Sequence, residues 1–194
     1  MITMAELPRP RIILDTDPGI DDTIAIITAA RWADLIGITT VAGNVPVEHT
    51  TANALRIRDL LGLDVAVHRG ANRPLKVEPL HARHVHGVIG LGEIELPEPS
   101  RGPDSEDAIG FLVESTRGEE GLHLVPLGPL TNVALALRAD PALADRVASI
   151  TLMGGSARAG NVTAAAEFNV FADPEAADVV FRSGAPITMV GLNL

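Results

Sequence analysis

"LDTDPGIDD", residues 14–22, places four aspartates within eight positions directly behind the apolar run Arg11-Ile12-Ile13-Leu14. A short β-branched run reads as a buried strand. The Pro18-Gly19 pair then turns the chain, so that a helix can begin near Asp21 or Asp22. An aspartate at a helix start caps free N–H groups and complements the positive end of the helix dipole. That accounts for Asp21 or Asp22 singly, but not for Asp15 and Asp17. Converging carboxylates raise one another's proton affinity and cost several kcal/mol if left unpaired, and no Lys or Arg lies within the stretch to neutralise them. A hard divalent cation resolves the conflict: Ca²⁺ accepts about six to eight oxygens, whereas Mg²⁺ demands a tighter octahedron. A cation beside carboxylates also suggests an activated water, because the ion makes the water more acidic and a neighbouring carboxylate takes its proton. Hydrolysis is the expected chemistry.

Outward from this stretch, apolar β-branched runs alternate with helix-period segments nearly to the end of the chain. The pattern predicts strands over 11–14, 35–42, 64–67, 122–127, 147–153 and 186–192. Between them it predicts helices over 22–32, 47–61, 104–116, 130–138 and 174–182. Continuous apolar strands separated by helices indicate a mostly parallel sheet covered on both faces, a doubly wound α/β fold. In such sheets ligands bind beyond the carboxyl ends of the strands. The polar motifs fall there: "DTDPGIDD" after the first strand, "AGN" (42–44) after the second, "LGPLTN" (127–132) after the fourth and "GGSARAGN" (154–161) after the fifth. Residues 69–102 read as a long Pro/Gly/His-rich loop containing "HARHVHGVIGLG"; such segments are often functional, and on composition alone a mobile surface excursion is an equal alternative.

The 194 residues, 46% hydrophobic, are enough to bury a sizeable core, and the expectation is one domain over 1–194. There is no cysteine, which excludes disulfides, thiolate metal sites and a cysteine nucleophile. The net charge of −10, with scattered basic residues, excludes a nucleic-acid footprint. No signal-like start and no apolar run long enough to cross a bilayer is present, so no membrane association and a cytoplasmic location are expected.

Six ordered blocks, "DTDPGIDD" with "TIAI", "TTVAGN", "HVHG", "LVPLGPLTNVALAL", "MGGSARAGN" and "AEFNVFADPEAA", resemble the inosine-uridine-preferring nucleoside hydrolases, from about Arg11 to the last residue. The resemblance implies hydrolysis of the N-glycosidic bond of a ribonucleoside such as inosine or uridine, to free base and ribose, with bound Ca²⁺. It implies Asp17 and a bidentate Asp22 as metal ligands, with the backbone carbonyl of Leu127 as a third, and Asp17 also as general base on the attacking water. Asp21 becomes a ribose hydroxyl partner, and Asp15 a carboxylate of the metal site that orients it from behind. Asn44, Asn161, Glu167 and Asn169 match sugar-binding positions, where matched donors and acceptors meet the ribose hydroxyls. Met153 matches a methionine packed on the sugar, and His86 a histidine near the base. The expected transition state is oxocarbenium-like, stabilised by the anionic pocket. A homodimer or homotetramer is implied as well.

The sequence departs from the family in its last part. It stops at "VGLNL", where a family member has about two thirds of its length behind it, and no counterpart is present for a later histidine acid and a later aspartate that binds both Ca²⁺ and ribose. Asn193 stands where an aspartate is common. The expectation is a fragment, a truncated product, or a chain completed by a partner, with apolar sheet surface left uncovered. The alternative function is then Ca²⁺ or nucleoside binding without turnover. A phosphotransferase of the haloacid-dehalogenase type also places D-x-D after its first strand, but Pro18 occupies the position where that motif wants Thr or Val, and Lys76, the only lysine, is not suitably placed.

Overall fold

The sheet is assembled around the strand that carries the aspartates. The structure is a computed structural model describing residues 8–194. In chain order the elements are β1 (Arg11–Thr16), α1 (Ile20–Trp32), β2 (Asp34–Thr40), α2 (Val47–Leu60), β3 (Ala66–Arg69), α3 (Arg83–His86), α4 (Ala108–Gly118), β4 (His123–Pro126), α5 (Thr131–Ala139), α6 (Leu143–Arg146), β5 (Ser149–Met153), α7 (Phe168–Ala172), α8 (Pro174–Phe181) and β6 (Ile187–Val190). The six strands form one sheet in the order β3-β2-β1-β4-β5-β6, and every pairing is parallel.

Both faces of this sheet are covered from β3 to β5, as continuous apolar strands require, while the edge strand β6 has no buried residue. In β1, Ile13 enters one core with Leu112 of α4, Val133 and Leu137 of α5 and Val180 of α8. Its neighbours Ile12 and Leu14 enter the other core, with Ile26 of α1 and Leu55 and Ile57 of α2. Each such side chain contributes roughly 1.5–3 kcal/mol on burial. The alternation along β1 therefore fixes which helices lie on which side. Among the described residues no helix is long and apolar enough to cross a membrane.

The structure corrects several predicted boundaries. Helix α1 starts at Ile20, with Gly19 as its N-cap, because the Asp22 carboxylate accepts the Gly19 N–H at 2.9 Å. The helix predicted from Asp104 begins only at Ala108, with Asp107 as N-cap. Residues 104 and 105 instead lie along the outer edge of β3: Asp104 N–H donates to the Val67 carbonyl (2.8 Å) and Arg69 N–H to the Ser105 carbonyl (2.9 Å). That arrangement seals an edge that would otherwise present unpaired backbone. The predicted strand over 147–153 starts at Ser149, because α6 occupies the residues just before it. The loop over 69–102 contains one helical turn, α3, and is mostly exposed, tied down at points such as the Ala82 N–H on the Asn44 carbonyl and the Asn53 amide on the Ile89 carbonyl. The opposite edge, β6, has Met189 and Val190 exposed.

Arg58 anchors the sealed edge. Its side chain is 2% exposed and pairs with Asp59 at 2.8 Å and more distantly with Asp104 at 3.8 Å. Asp59 in turn accepts the Ser100 N–H at 2.6 Å, a bond that, with Arg58, holds its carboxyl down at about 2. Arg58→Leu is expected to lower stability by about 2 kcal/mol in urea unfolding, below the roughly 3–5 kcal/mol of a fully buried pair because both acids keep partial exposure. A depressed carboxyl stabilises above its ordinary value and loses that contribution as pH falls toward 2. The protection factor of the Ser100 amide, taken relative to its intrinsic exchange rate at each pH, should therefore fall between about pH 4 and pH 2.

Candidate active site at the sheet switch point

The strand order reverses beside β1: β2 and β3 follow on one side, β4, β5 and β6 on the other. At such a point the loops after neighbouring strands diverge and leave a crevice. Here the crevice is a cleft of about 400 Å³ at the carboxyl ends of the strands. Two backbone bonds set its walls, Val41 N–H to the Thr16 carbonyl (3.1 Å) and Leu127 N–H to the Asp15 carbonyl (2.7 Å).

The four aspartates do not converge as one group. Asp22 lines the cleft, 5% exposed, and Asp17 lies just behind the lining, 1% exposed and joined to Asp22 through Asn44. Asp15 lies beneath them at 1% exposure, and the Asp21 side chain stands at the rim, 80% exposed. Asp22 Oδ1 accepts the Thr16 hydroxyl at 2.6 Å, and its Oδ2 accepts the Gly19 N–H. Asp17 Oδ2 accepts the Asn44 N–H at 2.6 Å, while Asn44 Nδ2 donates to the Asp17 carbonyl (3.1 Å) and to Asp22 Oδ2 (3.3 Å). Burial, and then the neighbouring Asp22 charge, push the Asp17 carboxyl well above its ordinary range. Burial raises Asp22 also, against the Thr16 and Gly19 bonds. No Lys or Arg offsets either carboxylate.

Two glycines make room for Asp17. A Cβ on Gly43 would overlap its Oδ2, and one on Gly128 would lie 2.5 Å from its Oδ1. Beneath, the β1–β2 register sets Thr39 beside Asp15, and the Thr39 hydroxyl donates to Asp15 Oδ1 at 2.6 Å. Asn132 Nδ2 donates to the same oxygen at 2.7 Å, leaving Asp15 Oδ2 buried and without a partner. Burial lifts the Asp15 carboxyl to about 6 despite these bonds.

The opposite wall comes from the loops after β4 and β5. Leu127, Met153, Asn161, Glu167 and Asn169 all line the cleft, as do Asn44, Asp21 and Asp22. Asn169 Nδ2 donates to the Leu127 carbonyl (2.7 Å) and the Met153 carbonyl (3.1 Å). The Leu127 oxygen keeps a second lone pair free for a ligand. Glu167 caps α7, accepting the N–H groups of Asn169 (3.0 Å) and Gly155 (2.8 Å). His86 lines the third side. Its Nδ1 accepts the Ile20 N–H at 3.4 Å and lies 3.9 Å from Asp21 Oδ1. The loop bearing it is fixed at its start by Ala82 N–H on the Asn44 carbonyl, 3.0 Å.

Sequence reasoning missed Thr16, Thr39, Asn132 and the two glycines, and it missed Val85, Val162 and Phe168 among the lining side chains. The only available signal was "TT" at a strand end and the Asn closing "LGPLTN".

Two buried, unpaired carboxylates facing amide and carboxylate side chains across a crevice define a small-molecule site suited to a cation and a polyhydroxylated ligand. Residues 12–194 match the family model described as "Inosine-uridine preferring nucleoside hydrolase". The pyrimidine-specific ribonucleoside hydrolase RihA of Shewanella baltica is 49% identical over 187 residues, covering 94% of this chain and 59% of the relative. A purine-preferring ribonucleoside hydrolase from Gardnerella vaginalis superposes with a TM-score of 0.90 at 42% identity, covering 94% of this chain and 60% of that one. A plant nucleoside hydrolase, PpNRh1, gives 0.91 at 39%, covering 96% and 61%. The chain thus spans about three fifths of the length of these relatives. It belongs to the inosine-uridine preferring nucleoside hydrolase family.

An acid whose folded value lies above its unfolded value of 3.8 costs stability as pH rises through that window. Asp15→Asn keeps an oxygen for Thr39 and Asn132 and removes the buried charge. In cation-free buffer at pH 8 the variant is expected to be more stable than the parent by on the order of 2 kcal/mol in urea unfolding, with the gain vanishing near pH 4.

Proposed function

We propose that this chain hydrolyses the N-glycosidic bond of ribonucleosides, giving free base and ribose, with Ca²⁺ as its cofactor. The observation that carries the reading is the pair Asp17 and Asp22, buried side by side at the switch point with no Lys or Arg to offset them. The donor set fits a hard cation, being two carboxylates and the Leu127 carbonyl, all oxygen. Among the described residues no three His, Cys, Asp or Glu side chains form a ready-made cage. The remaining ligands would then be backbone, solvent or sugar oxygens. When bound, Ca²⁺ supplies positive charge that makes a ligated water more acidic and helps hold the sugar.

The chain's own groups supply the rest. Asp17, whose proton affinity is raised by burial and by Asp22, is suited to take a proton from the attacking water at its free carboxylate oxygen. Asn44 holds the other oxygen and so fixes the direction of that transfer. Asp21 at the rim and Asn161, Glu167 and Asn169 opposite offer donors and acceptors to ribose hydroxyls. The surplus of carboxylates favours the positive charge that develops on the sugar as the bond to the base breaks. The apolar side chains Val85, Val162 and Phe168, with His86 beside them, suit a flat heterocycle.

Isothermal calorimetry with CaCl₂ and a reducing-sugar assay on inosine and uridine test this together. The parent chain is expected to take up Ca²⁺ and to release ribose above the no-enzyme rate. Asp22→Ala is expected to weaken Ca²⁺ by about 100-fold or more and to abolish release. Parental turnover in Asp22→Ala would remove the site assignment.

A further inference from the structure

We propose that Asn53, on α2 and outside the cleft, is a positioning residue that ties the aspartate turn to the histidine loop and thereby seats His86; this rests on the nucleoside hydrolase reading above. Asn53 is fully buried. Its Nδ2 gives one hydrogen to the Pro18 carbonyl (3.1 Å) and the other to the Ile89 carbonyl (2.7 Å). Pro18 opens the turn that carries Asp21 and Asp22, and Ile89 lies three residues after His86 in the loop that forms the third side of the cleft. A planar amide presents its two hydrogens at a fixed angle, so it sets the spacing of the two carbonyls as well as satisfying them. Gly90 presses on the same tie: its φ is +97°, and a Cβ there would come within 2.9 Å of Asn53 Nδ2 and 3.1 Å of the Pro18 oxygen.

The seat of His86 depends on this anchor because the ring's own bond is weak. Its Nδ1 meets the Ile20 N–H at 3.4 Å, at the long limit for such a bond. The loop is held at its start by Ala82 on Asn44 and at its end by Ile89 on Asn53. Beyond His86 the next ties are the Gly92 N–H on the His86 carbonyl (2.8 Å), which is internal to the loop, and buried Leu91, so releasing Asn53 removes the one side-chain bond among the described residues that couples this stretch directly to the aspartate turn. A group that binds ligand is useful only when the shell behind it is rigid. A residue that merely satisfied two buried carbonyls would, on removal, loosen the whole molecule and act independently of His86.

The test is Asn53→Ala in the full chain, read by amide exchange and by steady-state kinetics on inosine and uridine with Ca²⁺. Exchange at His86, Gly87 and Gly92 is expected to accelerate about tenfold or more while Ile13 and Ile38 in the sheet stay within about twofold. KM is expected to rise about tenfold, and adding Asn53→Ala to His86→Ala should change kcat/KM by less than about twofold. Equal acceleration in the sheet, or losses that multiply in the double variant, would overturn the proposal. Gly90→Ala strikes the same tie from the loop side, should give the same local signature, and carries the test if Asn53→Ala fails to fold. If the parent chain releases no ribose, the functional reading falls by itself; exchange then decides the tie, and an unchanged loop in Asn53→Ala refutes it.

Discussion

Two carboxylates held next to each other out of water are the constraint on which this structure is organised. Burial and mutual repulsion both oppose ionisation of Asp17 and Asp22. The protein answers with Thr16, Gly19 and Asn44, each donating to one of the acid oxygens. These bonds reduce the penalty without cancelling it, since both carboxyls remain raised. A fold keeps such a conflict with its own stability rules where the conflict has a use. In the proposed function, that use is to hold a cation.

The site is built in layers and from two halves. Below the floor, Asp15 is clasped by Thr39 from β2 and Asn132 from α5, so that both sides of the switch point meet at one oxygen. Above it, the Asn44 turn follows β2 while Leu127, Met153 and Asn169 follow β4 and β5. Gly43 and Gly128 approach Asp17 from opposite halves, each bare of a side chain where one would collide. Neither half alone makes the cleft.

Much of the fold was legible in the sequence, for a physical reason. Strands buried on both faces must be apolar along their whole length, so all six runs stood out and indicated a parallel sheet. The ends of elements were not legible, because tertiary contacts decide them. Asp104 and Ser105 look like the start of a helix until the edge of β3 claims them. Helices α6 and α7 are too short for a periodic pattern, and α7 exists because Glu167 caps it. The polar residues of the cleft could be read from their motifs: Asp21, Asp22, Asn44, Asn161, Glu167 and Asn169 line one crevice, Asp21 at its rim, while Asp17 and Asp15 lie buried behind the lining. Thr39 and Asn132 could not, since each matters only through a partner brought to it by strand register or by a distant loop. Asn53 was hidden for the same reason: nothing in "TTANAL" reveals that its amide faces Pro18 and Ile89.

The pairing of the central strands also separates local from distant contacts. β1 pairs with β2, and β2 with β3, through short connections, whereas the other partner of β1 begins at His123, more than a hundred residues further along. Gly43 follows β2 and Gly128 follows β4, so the two walls that enclose Asp17 are joined across the longest span of chain that β1 bridges. The desolvation of that carboxyl therefore belongs to the non-local contact with β4 and not to the local pair with β2, and the loop closure that shapes the cleft has to offset it.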